Sequence, residues 1–287
     1  MTGELEGKVA IVTGGGWNIG RAIALRFARA GARVAIAGRN EERLRETAAA
    51  LEDAVRATHQ NRHEVLCCVC DVTDLEAVEA LVARTVETFG TLDVVAAIAG
   101  GGGGYEAIDA IDPAWWAEVV SLNLVGTFHT ARAALPALRA KRSGSILTCT
   151  GGGAFFPIMS VPATAYASAK AGICRFTDQL AVELLDDGVR VNCLSPELTW
   201  SPDELARVEE EERRTGTPHQ DRARNHSPEE SAELALWLVS DASAPLTGRT
   251  VSVNDTWWRD PEQVAAVAGD LHAYTLRRVD ATGSVPR

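Results

Sequence analysis

Short apolar, β-branched runs alternate along this chain with longer stretches in which apolar residues recur at helical spacing. The runs at 8–12, 33–37, 64–70, 93–98, 145–148, 190–194 and 250–253 predict seven strands. Between them, 19–30, 41–57, 75–89, 164–185 and 227–240 predict helices, and Asp112 with Pro113 predicts the start of a further long one. Gly31 and Gly90 stand where two of these helices should end. Strands alternating with helices imply parallel pairing through right-handed crossovers. The strands are apolar on both faces, as in a sheet covered on each side. No linker and no repeat divides the pattern. It predicts one doubly wound α/β domain over residues 1–258, followed by an extension at 259–287.

Composition narrows the function. The chain has 287 residues and a formal net charge of −11, which argues against a nucleic-acid or anionic-membrane partner. No apolar stretch is long enough to span a membrane. The N-terminus is acidic and lacks an apolar run, so no secretory signal is expected and a cytoplasmic location is. Among the six cysteines, Cys67, Cys68 and Cys70 cluster in a strand. Alternation puts Cys68 and Cys70 on one face and Cys67 on the other. No CxxC or histidine pair completes a metal site there, so these read as small core residues and no metal is expected.

In such a sheet a ligand binds outside the carboxyl ends of the strands, near the point where strand order reverses. The first strand runs into Thr13-Gly14-Gly15-Gly16-Trp17-Asn18-Ile19-Gly20. Glycines there let the backbone approach a pyrophosphate, and the following helix aims its N-terminal N–H groups at it. Arg39 follows the second strand, where the adenosine ribose is read. A guanidinium suits a 2′-phosphate, so NADP(H) is favoured over NAD(H). Asp71 and Val72, after the third strand, are placed to meet the adenine edge, although Asp71 equally suits a turn or a cap.

Tyr166 and Lys170 lie four residues apart, on one face of a predicted helix. An ammonium beside a phenol lowers its pKa, and such a tyrosine can exchange a proton with an alcohol or carbonyl oxygen. The chain has only three lysines, and one of them completes this spacing. Together with Asp71-Val72, Ala99-Gly100, Asn123-Leu124-Val125-Gly126 and the run from Arg190 to Pro196, these motifs resemble the short-chain dehydrogenase/reductase family over about residues 5–258. The resemblance implies a Rossmann-type seven-stranded sheet, a nicotinamide cofactor, and interconversion of a small-molecule carbonyl and alcohol. It implies Tyr166 as acid/base and Lys170 on the nicotinamide ribose. Asn123 would hold a proton-relaying water. Gly14, Gly16, Asn18, Ile19, Gly20, Ala99, Gly100 and Pro196 would line the cofactor. It also implies a substrate lid at about 196–226 and a homodimer or homotetramer.

Several positions depart from that pattern. Asn18 replaces a loop glycine, Glu197 follows Pro196 where glycine is usual, and Ala97-Ile98 replaces an amide pair. The family's serine after the fifth strand is missing. Register from the strand lands on Gly151, and counting back from Tyr166 lands on Gly153. Thr150 is the nearest hydroxyl that could take its place, and its alternative reading is a strand-end residue bonded to backbone. Ser160 is a second candidate. These departures keep two other readings open: non-redox chemistry on the same fold, and a nucleotide-binding protein without catalysis. Trp200, Trp257, Trp258, Phe155 and Phe156 could line an apolar pocket or belong to core. Trp17 is expected over the cofactor or a lid, and His129 is expected as a satisfied histidine at a helix interface.

Overall fold

The computed structural model describes residues 3–58 and 65–277. Seven parallel strands form one sheet in the order β3-β2-β1-β4-β5-β6-β7. They are β1 (Val9–Thr13), β2 (Arg33–Gly38), β3 (Leu66–Val69), β4 (Val94–Ala97), β5 (Gly144–Cys149), β6 (Val189–Ser195) and β7 (Thr250–Ser252). Strand order reverses at β1, which pairs with β2 on one side and β4 on the other, Val12 facing Ile36 and Ala96. The predicted residue 64 lies outside the described residues.

The helices are α1 (Asn18–Arg29), α2 (Glu41–Thr58), α3 (Leu75–Phe89), α4 (Pro113–Val120), α5 (Gly126–Lys141), α6 (Thr164–Glu183), α7 (Pro202–Thr215), α8 (Pro228–Val239) and α9 (Pro261–Gly269). Their ends follow local chemistry. Asp74 caps α3 by accepting from Glu76 and Ala77 N–H, and Gly90 ends it with φ 80°. Asp112 caps α4 through the Ala114 N–H, 2.7 Å away. Ser201 and Ser227 open α7 and α8 with reciprocal boxes to Glu204 and Glu230.

The long helix expected after Asp112 runs from Pro113 to Lys141, and a π turn at Ser121–Val125 joins α4 to α5 within it, with Asn123 inside that turn. Such wide turns spend a hydrogen-bond register to re-aim a side chain, and they concentrate at functional sites.

Two apolar cores cover the sheet. Phe27, Ile36, Leu44, Leu51, Leu234 and Leu238 build one under α1, α2 and α8. Val9, Ile11, Val78, Leu81, Leu138 and Ile146 build the other under α3 and α5. Cys68 and Cys70 join the second core while Cys67 packs on the first, as strand alternation requires. Among the described residues, no group of three His, Cys, Asp or Glu is arranged to hold a metal ion.

The 259–277 segment folds back on its own chain. The Tyr274 carbonyl accepts from Thr250 N–H at 2.8 Å, which occupies part of the free edge of β7. Arg277 pairs with buried Asp178 at 2.9 Å, and Arg175 donates to the Leu276 carbonyl at 2.6 Å. Residues 278–287 lie outside the described residues. Trp257, expected either at a pocket or in core, is core: it meets Trp237 edge-on at 5.9 Å and Tyr274 at 4.7 Å. Trp258 packs on the same Trp237.

Candidate active site

Two adjoining cavities run along the carboxyl ends of the strands. Both have Gly14, Trp17, Ala99 and Gly100 in their walls. The first, of about 400 Å³, reaches from Gly16 across Arg39 and Arg43 to Asp71 and Val72. The second, of about 570 Å³, contains Asn18, Ile19, Gly20, Tyr105, Thr150, Gly151, Tyr166, Lys170 and Pro196.

The glycine turn after β1 has the shape of a phosphate cradle. Gly14 has φ 71°. A Cβ on Gly20 would meet the Gly14 carbonyl oxygen at 2.2 Å, so α1 can start against the turn only because residue 20 has no side chain. Asn18 takes the left-handed backbone at φ 43°, which asparagine tolerates best after glycine. Its Oδ1 is buried without a partner among the described residues and can only accept, so it calls for a donor such as a water or a ligand hydroxyl rather than a phosphate. The turn and the first helical amides fit a pyrophosphate.

Arg39 stands exposed at the far end, 3.9 Å from Asp71. Asp71 is held below the usual carboxylate range chiefly by the Thr73 N–H, with the Thr73 hydroxyl and Arg39 adding to it. A second guanidinium, Arg43, lies 3.7 Å over the Trp17 ring and 3.6 Å from Asp203 on α7. Arg43 thus links Trp17 in the glycine turn to α7. His129 is satisfied by the Val72 carbonyl at 3.0 Å.

At the other end, Lys170 is buried and donates to the Cys149 carbonyl at 3.1 Å. Its Nζ is 5.5 Å from the centre of the Tyr166 ring. The four-residue spacing predicts that this ammonium lowers the Tyr166 pKa. Burial instead pushes the phenol upward, and the neighbouring Cys149 adds to it. Asn123 is fully buried and braces the loop after β4. Its Nδ2 donates to Gly101 O at 3.0 Å and Val119 O at 2.9 Å, and its Oδ1 accepts from Gly101 N–H at 3.2 Å. That amide restores in space the bracing lost where Ala97 and Ile98 replace amide side chains.

Thr150 is buried, and its hydroxyl donates to the Lys170 carbonyl at 2.9 Å while accepting from the Cys174 thiol at 3.3 Å. The hydroxyl is therefore used inside the protein. Gly151 is the residue that faces Tyr166, and a Cβ there would come within 2.5 Å of the phenol oxygen. The strand register points to this same position. Ser160 lines the cavity from an exposed loop. Glu197 turns its carboxylate back to the sheet, accepting from Ser195 and Ser252 at 2.9 and 2.8 Å. Phe155 and Phe156 lie exposed on the loop before α6, and Trp200 meets His219 edge-on at 5.3 Å. Arg43 and Tyr105, which line the two cavities, were not singled out from the sequence, and neither were the Asn123 contacts to Gly101.

A family model described as Enoyl-(Acyl carrier protein) reductase matches residues 15–255. The short chain dehydrogenase/reductase astE of Aspergillus oryzae is 35% identical over 272 residues, covering 88% of this chain and 98% of that protein. The chain belongs to the short-chain dehydrogenase/reductase family. Within it, the L-fucose dehydrogenase of Bos taurus is 34% identical, covering 85% of this chain and 87% of that one. Among solved structures, a tryptophan variant of actinorhodin polyketide ketoreductase with NADPH superimposes with a TM-score of 0.76 at 29% identity, covering 88% of this chain and 97% of that one. Xylitol dehydrogenase bound to NAD+ superimposes at 0.75 and 26% identity, covering 86% and 98%. The fold and the oxidoreductase class are those of this family.

Proposed function

We propose that this short-chain dehydrogenase/reductase interconverts a small-molecule carbonyl and alcohol with NADP(H), using Tyr166 as general acid/base. One observation carries the reading: Tyr166 and Lys170 line one cavity together with the loop that Asn123 braces, and this cavity adjoins a glycine cradle that ends in guanidinium groups. A nicotinamide supplies or takes up the hydride when bound. The chain's own residues do the rest. The Gly14–Gly20 turn and the first amides of α1 would hold the pyrophosphate. Arg39, with Arg43 nearby, would hold the 2′-phosphate. Tyr166 remains a neutral phenol near pH 7, the state from which it gives a proton to a carbonyl oxygen. Lys170, beside the Tyr166 ring, would hold the nicotinamide ribose. NADP(H) over NAD(H) rests on Arg39 and Arg43, since no carboxylate follows β2 directly.

Thr150 supports the turn of α6 at Lys170 rather than the substrate, because its hydroxyl is bonded to backbone. Self-association is part of the same reading, with Phe128 on α5 and Val182 on α6 leaving apolar surface exposed. A cytoplasmic location fits it too. No helix among the described residues is long and apolar enough to cross a membrane.

The test is consumption of NADPH against a panel of ketones and diketones. Tyr166→Phe should lower the rate by on the order of 10²–10⁴ and leave the NADPH dissociation constant within about twofold. Full activity in that variant would remove Tyr166 from the reaction.

A further inference from the structure

The substrate oxygen offers two lone pairs, and Tyr166 serves only one of them. Neither Thr150, bonded to backbone, nor Gly151, without a side chain, supplies a second donor. A second phenol is present in the cavity. Tyr105 follows the glycine run 100–104 and is half-exposed. Its ring meets Tyr166 edge-on, with centroids 6.3 Å apart at 63°. Its oxygen presses against Gly102, where a Cβ would come within 2.3 Å of it. Burial and the facing Tyr166 both raise the Tyr105 phenol above its ordinary value, so it too keeps its proton at neutral pH.

We propose that Tyr105 is a second catalytic residue, whose hydroxyl donates the hydrogen bond that a serine supplies elsewhere in this family. The inference rests on the carbonyl/alcohol reading above. Tyr105 lines the cavity beside Tyr166, which places its phenol to donate to an oxygen held there. During reduction the carbonyl carbon gains a hydride and the C=O π bond opens onto oxygen. The Tyr166 O–H bond breaks, and its proton forms the new O–H of the alcohol. Tyr105 transfers nothing: it hydrogen-bonds the oxygen while negative charge builds there, which is where a fixed donor accelerates the step. The run of glycines makes this possible. Side chains at 102 or 103 would meet the Tyr105 oxygen or the Trp115 ring, so only bare backbone lets the phenol fold over Tyr166.

The experiment compares the full chain with Tyr105→Phe, Tyr105→Leu and Ser160→Ala, using NADPH and the probes phenanthrenequinone and acetophenone. Tyr105→Phe should lower kcat by about 10- to 100-fold with KM and NADPH affinity changed by less than about threefold. Leu should lose little more than Phe. Ser160→Ala should match the parent. Wild-type kcat in Tyr105→Phe overturns the proposal, as does loss confined to Leu, which marks packing, or loss confined to Ser160→Ala. An inactive parent that still binds NADPH removes the carbonyl reading, and the proposal with it. A second measurement needs no turnover. In protein with isotope-labelled tyrosine, the edge-on contact should give a nuclear Overhauser effect between the Tyr105 and Tyr166 rings that disappears in Tyr105→Leu. Its absence in the parent means the two phenols are not neighbours and also overturns the proposal.

Discussion

At the scale of single residues, Gly151 and Tyr166 depend on each other. The phenol oxygen occupies space that any side chain at 151 would enter. Restoring the family's serine at that position should therefore harm the site: Gly151→Ser is expected to lower kcat by about tenfold or more, because its Cβ displaces the rigid ring from the reacting oxygen. A steady-state comparison checks this, and a gain in rate would contradict it. Arg39 works differently. It is exposed and only loosely paired with Asp71, so little in the fold depends on it. Arg39→Asp should leave stability nearly unchanged. It should weaken NADPH by about 10- to 100-fold relative to NADH, since a carboxylate repels the 2′-phosphate and accepts from a ribose hydroxyl. Titration of the two nucleotides measures that ratio.

Elements are joined here by buried polar side chains as much as by apolar packing. Arg190 on β6 donates to the carbonyls of Leu238, Ser240, Ser243 and Leu246, tying the end of α8 and the turn before β7 to the sheet. Its neighbour Asn192 bonds Leu246 O at 3.0 Å and accepts the Arg249 N–H at 3.1 Å. Arg190→Met fills most of the volume but removes one donor from each of those carbonyls, which keep their bonds to Ser243, Asn192 and backbone N–H groups. A loss on the order of 2 kcal/mol is expected, or a Tm lower by roughly 4–8 °C for a chain of this size. Arg190→Lys should rescue only part, because one ammonium cannot span so many acceptors. Thermal unfolding of the three proteins decides it.

Across the whole molecule, the extension at 259–277 closes what the parallel sheet leaves open. Val264 and Val267 are buried, Tyr274 covers Trp257, and the Tyr274 carbonyl occupies the β7 edge. A chain ending at residue 259 should expose that edge and the tryptophan cluster. It is expected to lose about 3 kcal/mol or more and to aggregate on heating. Calorimetry with light scattering would show this, and an unchanged Tm would contradict it.

Periodicity and turn residues were enough for the alternation of strands and helices, the glycine turn against α1 and the Tyr166–Lys170 pair. Each of these is encoded within a few neighbouring residues, by side-chain spacing or by the backbone that glycine, proline and asparagine allow. The π turn at Asn123 was not legible, because it trades local hydrogen bonds for contacts with residue 101 across the fold. Nor was the direction of the Tyr166 shift, since spacing shows a nearby cation but not how much water burial removes. The phenol of Tyr105 over that of Tyr166, Gly151 beneath it, and the extension on the β7 edge bring together positions distant in the chain. Only tertiary packing decided those, because desolvation and close approach depend on what the rest of the molecule places around a residue.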